Sequence, residues 1–142
     1  MKTETSPSIV ESRVQKAYGP HLTIDGYEAP RSLLGNYQLI FDLLNRLPEQ
    51  IGMTKITQPY CFPYYCGKSE AGHPEWGITG VVIIAESHIS NHKYPEKGIF
   101  FLDVFSCKMF DTEETLAFVR KTLRPKRVDR SVVQRGLDFP RG

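Results

Sequence analysis

Two apolar runs constrain this chain more than any other feature. Val81-Val82-Ile83-Ile84-Ala85 is almost wholly β-branched, and Ile99-Phe100-Phe101-Leu102-Asp103-Val104-Phe105 carries a single carboxylate. Both have the length and residue types of buried strands. The first run ends in Glu86-Ser87-His88, a carboxylate, a hydroxyl and an imidazole in succession. The turn-forming Tyr94-Pro95-Glu96-Lys97-Gly98 precedes the second run, which ends at Ser106-Cys107. The stretch from Thr79 to Cys107 is therefore expected to be a hairpin of two buried strands with reactive side chains in its connection.

The rest of the chain supplies the remaining elements. Residues 1–16 lack a sustained apolar period and read as a flexible arm with a short helical piece at Val10 to Lys16. His21-Leu22-Thr23-Ile24-Asp25 alternates as a half-buried strand does. Leu33, Leu34, Leu39, Ile40, Leu43, Leu44 and Leu47 then form an apolar stripe at helical spacing, with Ser32 as N-cap and Pro48 and Gly52 as the stop. Met53 to Tyr65 reads as an edge or irregular strand, because Pro59 and Pro63 interrupt it. Gly67 to Gly77 reads as a loop with Trp76 beside the next strand. Asp111-Thr112-Glu113-Glu114 opens a second helix that Pro125 ends, and Lys126 to Arg135 reads as a last strand. The predicted fold is α+β: one antiparallel sheet with helices on one face, a two-layer protomer spanning residues 17–142 as a single domain.

Several function classes fall away at this level. The 142 residues carry a net charge of only +2, which recommends neither nucleic acid nor membrane as a partner. The basic segment from Lys121 to Arg141 has no interleaved aromatic platform and reads as an exposed strand face. No apolar run approaches bilayer length, and the polar amino terminus is no export signal, so the expected location is cytoplasmic. Cys61, Cys66 and Cys107 are an odd set without framework spacing, as befits reduced thiols. Cys61 and Cys66 with His73 nearby lack a fourth ligand at suitable spacing, so no metal is expected.

The chemistry of the connection stays open on residue types alone. A serine hydrolase presents its nucleophile on a glycine-flanked elbow, and Ser87 follows Ala85-Glu86 instead. Cys107 as a hydrolase nucleophile needs a paired histidine and an orienting group, for which there is no local signature. The bland reading is a polar hairpin with solvated histidines.

The string AESHISNHKYPEKG followed by LDVFSC, however, resembles the S-adenosylmethionine decarboxylase family in its short prokaryotic form. Glu86, Ser87, His88, His92, Pro95 and Glu96 fall at the family's spacing, and Asp103, Val104, Phe105 and Cys107 follow at the right distance. The likeness is softer but extends from Gly19 to the segment Lys126 to Gly136. Thr79 stands where relatives carry serine, and Asn91 and Lys93 depart from the usual isoleucine and threonine.

The resemblance implies a proenzyme that cuts itself between Glu86 and Ser87, leaving a pyruvoyl group made from Ser87. A serine hydroxyl attacks the preceding carbonyl if that bond is held ready, and the oxyanion formed wants a hydrogen-bond donor. By the family pattern His92 is the processing base, Thr79 the hydroxyl donor, Cys107 the proton donor in turnover and Glu96 the partner of the substrate ribose. His88 reads as structural. The pyruvoyl carbonyl takes the substrate amine as a Schiff base and serves as the electron sink for decarboxylation. The implied substrate is S-adenosylmethionine, whose product supplies aminopropyl groups for spermidine. Arginine or ornithine is the alternative substrate, and a lysine at 93 would repel a cationic substrate if it faced the pocket. A non-processing binding relative is the third reading, but it has no chemical need for Ser87, His92 and Cys107 together. Phe62, Tyr64, Tyr65, Trp76 and Tyr94 are candidates to cover the adenine and sulfonium. The family's architecture implies a homodimer layered α/β/β/α, in which a partner covers the second face of the sheet.

Overall fold

The structure, a computed structural model, describes residues 17–140. The expected amino-terminal arm and its helical piece lie outside those residues. Seven strands form one antiparallel sheet: β1 (Gly19–Tyr27), β2 (Thr54–Lys55), β3 (Tyr60–Lys68), β4 (Pro74–Ala85), β5 (Ser87–Tyr94), β6 (Ile99–Ser106) and β7 (Arg127–Arg135). Their order is β2-β4-β5-β6-β1-β7, with β3 also pairing β4. The helices are α1 (Arg31–Leu34), α2 (Tyr37–Gln50) and α3 (Thr112–Leu123). This is the α+β architecture expected from the element pattern.

One apolar layer holds sheet and helices together. Leu22 and Ile24 of β1, Val82 and Ile84 of β4, Ile89 of β5 and Leu102 and Val104 of β6 alternate onto a single face. Ile40, Leu43, Leu44 and Leu47 of α2 and Leu116, Val119 and Leu123 of α3 close over them. Each fully buried leucine or isoleucine contributes about 1.5–3 kcal/mol in transfer terms. Of the two candidate caps at the start of α3, Asp111 and Thr112, it is Asp111 that caps, its carboxylate accepting from the Glu114 N–H at 2.9 Å.

Four sequence expectations need correction. The connection after Ala85 is itself a strand, so β4 and β6 are separated by β5 and do not form a hairpin with each other. Its period-2 pattern is disguised, because Asn91 and Lys93 occupy core-facing positions where apolar residues would announce a strand. The expected edge strand splits into β2 and β3, and most of the expected loop from Gly67 to Gly77 is strand. Gly67, at φ +95°, sits in the register irregularity between Tyr65 and Lys68, where a bulge keeps β3 paired with β4. The long helix is capped by Asn36, whose side chain accepts from the Leu39 N–H, and Ser32 lies in the separate turn α1. Pro48 is inside α2, since a proline in the last turn removes a single backbone donor while its ring packs in the core.

Among the described residues the opposite face of the sheet carries no helix. Phe62, Ile83, Phe101 and Val133 are exposed there beside His21, Ser90, His92 and Asp103. Among the described residues no helix is long and apolar enough to cross a membrane.

Candidate active site

The candidate side chains gather at two places on β4, β5 and β6. At the β4–β5 junction the peptide between Ala85 and Glu86 is cis, and Ser87 has φ +127°. A non-glycine residue in that region costs on the order of 1–3 kcal/mol and persists only where its surroundings enforce it. The enforcement comes from the end of β6. Ser87 pairs with Ser106, the Cys107 N–H donates to the Glu86 carbonyl oxygen at 3.2 Å, and the Glu86 N–H donates to the Cys107 Sγ at 3.2 Å. The Tyr18 hydroxyl donates to the Glu86 carboxylate at 3.2 Å and lies 3.4 Å from the Ser87 Oγ. Glu86, Ser87 and Cys107 are thus brought together as expected, with Tyr18 added. The Tyr18-Gly19-Pro20 sequence reads as turn chemistry and gives no sign of this second role.

The second place lies toward the other end of β5. Thr79 and His92 are cross-strand partners, with Oγ1 and Nδ1 3.0 Å apart, so the threonine keeps the hydroxyl contact. His92 lines a cavity of about 170 Å³ with Thr23, Asp25, Ser90, Phe101 and Asp103. The Asp103 carboxylate is held by the His21 Nε2 at 3.1 Å and by the Ser90 hydroxyl. Ser87 and His92 lie five positions apart on one strand, about 16 Å at strand rise, so His92 does not reach the serine of its own chain.

Glu96 sits in the β5–β6 turn. Its Oε1 accepts from the Trp76 Nε1 at 2.9 Å and from the Arg31 guanidinium at 2.7 Å. Trp76 is therefore tied to Glu96 through its N–H, and Arg31 is a contact that helix periodicity does not reveal. Of the other aromatic candidates, Phe62 and Tyr65 are exposed on β3, Tyr64 is half-buried, and Tyr94 packs edge-on to Phe101. His88 packs edge-on against the rings of His21 and Phe105. Cys61 is buried in the core layer while Cys66 is exposed.

Lys93 faces neither pocket nor solvent. Its side chain is fully buried on the helix face with no hydrogen-bond partner for Nζ among the described residues, and burial pushes its ammonium down to about 7. Asn91, two residues earlier on the same face, is buried, and neither of its amide atoms has a partner among the described residues. Burial likewise pushes the Cys61 thiol up.

Fold and site together describe a protein class built on one antiparallel sheet with helices on a single face and a strand junction at Glu86–Ser87 held by Cys107. Residues 20–136 match the family S-adenosylmethionine decarboxylase. The S-adenosylmethionine decarboxylase proenzyme of Thermotoga maritima is 33% identical over 116 residues, 80% of each chain. That of Persephonella marina is 29% identical over 126 residues, 87% of this chain and 86% of its own. The crystal structure of the adenosylmethionine decarboxylase from Aquifex aeolicus superposes with a TM-score of 0.65 at 31% identity, covering 85% of this chain and 92% of that one. The chain belongs to the S-adenosylmethionine decarboxylase family.

Proposed function

We propose that this protein cuts itself between Glu86 and Ser87 and then decarboxylates S-adenosylmethionine, a cytoplasmic step that supplies aminopropyl groups for spermidine. The observation that carries this reading is the Glu86–Ser87 junction. The carbonyl to be attacked already accepts a backbone hydrogen bond from Cys107, and the attacking serine is held at φ +127°. A donor placed on the oxygen that becomes the oxyanion stabilises the addition step without reorganisation.

The chain's own groups account for the processing. The Ser87 Oγ adds to the Glu86 carbonyl carbon, the C–N bond breaks, and the hydroxyl proton passes to the leaving nitrogen, which turns the amide into an ester with a free amine on residue 87. His92 takes the Ser87 α-proton, the main-chain carboxylate of Glu86 leaves, and hydrolysis of the resulting dehydroalanine by water releases ammonia and leaves the pyruvoyl group. The junction residues suit this group, because Tyr18 and Cys107 flank the atoms from which it forms. Once formed, it supplies the electron sink for decarboxylation. Cys107 then returns a proton to the substrate carbon, and Glu96 accepts from the ribose hydroxyls. Asp25 and Asp103 place carboxylates in the His92 cavity, apt company for a sulfonium and an ammonium.

The 16 Å between Ser87 and His92 supports a homodimer. The helix-free face exposes Phe62, Ile83, Phe101 and Val133, an apolar area that a second copy would cover. In an isologous pairing, His92 and Thr79 of one copy lie against Ser87 and Cys107 of the other, giving two sites per dimer.

The test is the intact mass of the denatured protein, followed by substrate trials. Two fragments are expected, one ending at Glu86 and one with a blocked, pyruvoyl-modified residue 87, and carbon dioxide is released from S-adenosylmethionine but not from arginine or ornithine. A chain that stays whole on long incubation would overturn the reading.

A further inference from the structure

The hydroxyl proton of Ser87 must travel from Oγ to the leaving nitrogen, and the steps outlined above name no group to carry it. His92 takes the later α-proton and, about 16 Å along β5, does not reach the serine of its own chain. Tyr18 stands at the right place. Its Oη lies 3.4 Å from the Ser87 Oγ and donates to the Glu86 carboxylate at 3.2 Å. A hydroxyl has one proton to give and two lone pairs to receive. With that proton directed at Glu86, the Tyr18 oxygen faces Ser87 as an acceptor. Serine hydroxyl, phenol and carboxylate therefore form a chain with a single direction.

The phenol is held there from three sides. The Tyr18 backbone N–H donates to the Gly136 carbonyl oxygen at 2.9 Å. Its ring packs against Phe105 of β6 and Phe139 beyond β7, with centroids 5.4 and 5.0 Å away. The next residue is Gly19, where a Cβ would stand 1.8 Å from the Ser106 carbonyl oxygen, so glycine lets β1 begin hard against the peptide that leads to Cys107. These three contacts place the hydroxyl at the junction without using the hydroxyl itself.

We propose that Tyr18 is a catalytic residue of self-cleavage, taking the Ser87 hydroxyl proton while it passes its own to the Glu86 side chain. This rests on the reading that the chain cuts itself at this junction. As the bond from Oγ to the Glu86 carbonyl carbon forms, the Ser87 O–H bond breaks. Its proton moves to the Tyr18 Oη, and the phenol's own proton moves to the Glu86 Oε2. The carbonyl π pair goes to the oxygen on which the Cys107 N–H is already placed. When the oxyanion collapses the C–N bond breaks, and the leaving nitrogen takes one proton back from the same pair. Tyr18 and the Glu86 carboxylate end as they began. Glu86 acts through Tyr18 and is the positioning residue of the two.

The experiment follows cutting of the full-length chain after cell-free synthesis, by intact mass, with and without hydroxylamine, which cleaves an ester far faster than a peptide bond. Tyr18→Phe keeps the ring between Phe105 and Phe139 and should slow cutting by roughly 10²- to 10⁴-fold. Hydroxylamine should not rescue it, because no ester has formed. His92→Ala, blocked after the ester, should be cut once hydroxylamine is added. Glu86→Gln still accepts from the phenol but cannot take its proton. In hydroxylamine, where the first step alone is read, its rate should be low and climb more steeply with pH than that of the wild type, as hydroxide replaces the carboxylate. The other ionisable groups nearby, Cys107 and the His21, His88 and Arg135 that pack on Phe105, are common to the wild type, Tyr18→Phe and Glu86→Gln. A Tyr18→Phe chain that cuts at the wild-type rate, or that accumulates an ester, overturns the proposal. If that variant does not fold, Glu86→Gln with the wild-type rate and pH slope overturns it instead. A wild-type chain that never cuts removes the processing reading and this one with it, whereas a cutting wild type with unaffected variants removes this one alone.

Discussion

Cys107 touches Glu86 twice, through two different kinds of atom. Its backbone N–H donates to the Glu86 carbonyl oxygen, and its thiol accepts from the Glu86 N–H, each at 3.2 Å. The strand end that follows β6 therefore places both an N–H on the carbonyl at which we propose cleavage and a thiol at the same spot. The two contributions are separable by mutation, because a side-chain change leaves the N–H in place.

Cys107→Ala should thus still cut itself, while turnover of S-adenosylmethionine falls by about 10²- to 10⁴-fold for want of the proton donor. Ser87→Ala should remain a single chain. Mass spectrometry reads the first effect and carbon dioxide release the second. If Cys107→Ala stays whole, the thiol acts in cleavage and the assignment of the donor to the backbone is wrong.

The separation of Ser87 from His92 leads to a complementation test. Ser87→Ala and His92→Ala chains are each expected to be inert alone. Co-expressed, they form mixed dimers in which the intact His92 of one copy meets the intact Ser87 of the other. One site in such a dimer should be restored, and only the His92→Ala chain should be found cut. If neither chain in the mixture is cut, the site is not shared between copies.

How far the sequence carried this account differed by element. Strand β4 and strand β6 were legible because their core positions are apolar, and α2 because Leu39, Ile40, Leu43, Leu44 and Leu47 keep helical period. Strand β5 was not, since Asn91 and Lys93 replace the apolar residues that would have shown its alternation. Thr79 and His92 were singled out separately, by the family motif alone, and their cross-strand contact is visible only in the strand register. Tyr18 and Arg31 lie far from the motif in sequence, and their contacts with Glu86 and Glu96 arise from tertiary packing that no local pattern encodes.

The Arg31–Glu96 pair sets up a competition. Glu96 accepts from Arg31 at 2.7 Å and from Trp76 at 2.9 Å, and in the proposed binding mode the ribose hydroxyls share or displace these donors. Arg31 is largely exposed, so the pair is worth no more than about 1 kcal/mol. Arg31→Ala is expected to lower the KM for S-adenosylmethionine by about two- to fivefold, the equivalent of that energy, with kcat unchanged. Glu96→Gln should raise KM by tenfold or so, as a charged hydrogen bond is lost. Steady-state kinetics at fixed salt decide it, and a KM that rises in Arg31→Ala would make the arginine a substrate ligand.

Lys93 links sequence departure, burial and pH. Desolvation lowers its ammonium from 10.5 to about 7 in the folded protein, against which the Cys61 thiol opposite acts only weakly. Below pH 7 both folded and unfolded chains hold the proton, and the full cost of burying the charge is present. Between pH 7 and 10.5 the unfolded chain binds the proton and the folded chain does not, so stability rises with pH, by up to about 1.4 kcal/mol per unit. Above about pH 9 the Cys61 thiol, pushed up by burial, pulls the other way, because the folded chain then holds the proton the unfolded chain releases. The clean window is therefore pH 7 to 8.5. Lys93→Met, which fills similar volume without an unpartnered amine, should stabilise the protein by about 1–3 kcal/mol at pH 7. It should also flatten the pH slope across that window. Urea unfolding of both proteins at pH 7.0, 7.75 and 8.5 gives the slopes directly (the midpoints must be compared at equal m-value). A slope that survives the substitution would mean that another group titrates there, and a destabilised Lys93→Met would mean that the amine is held by a partner in the folded protein.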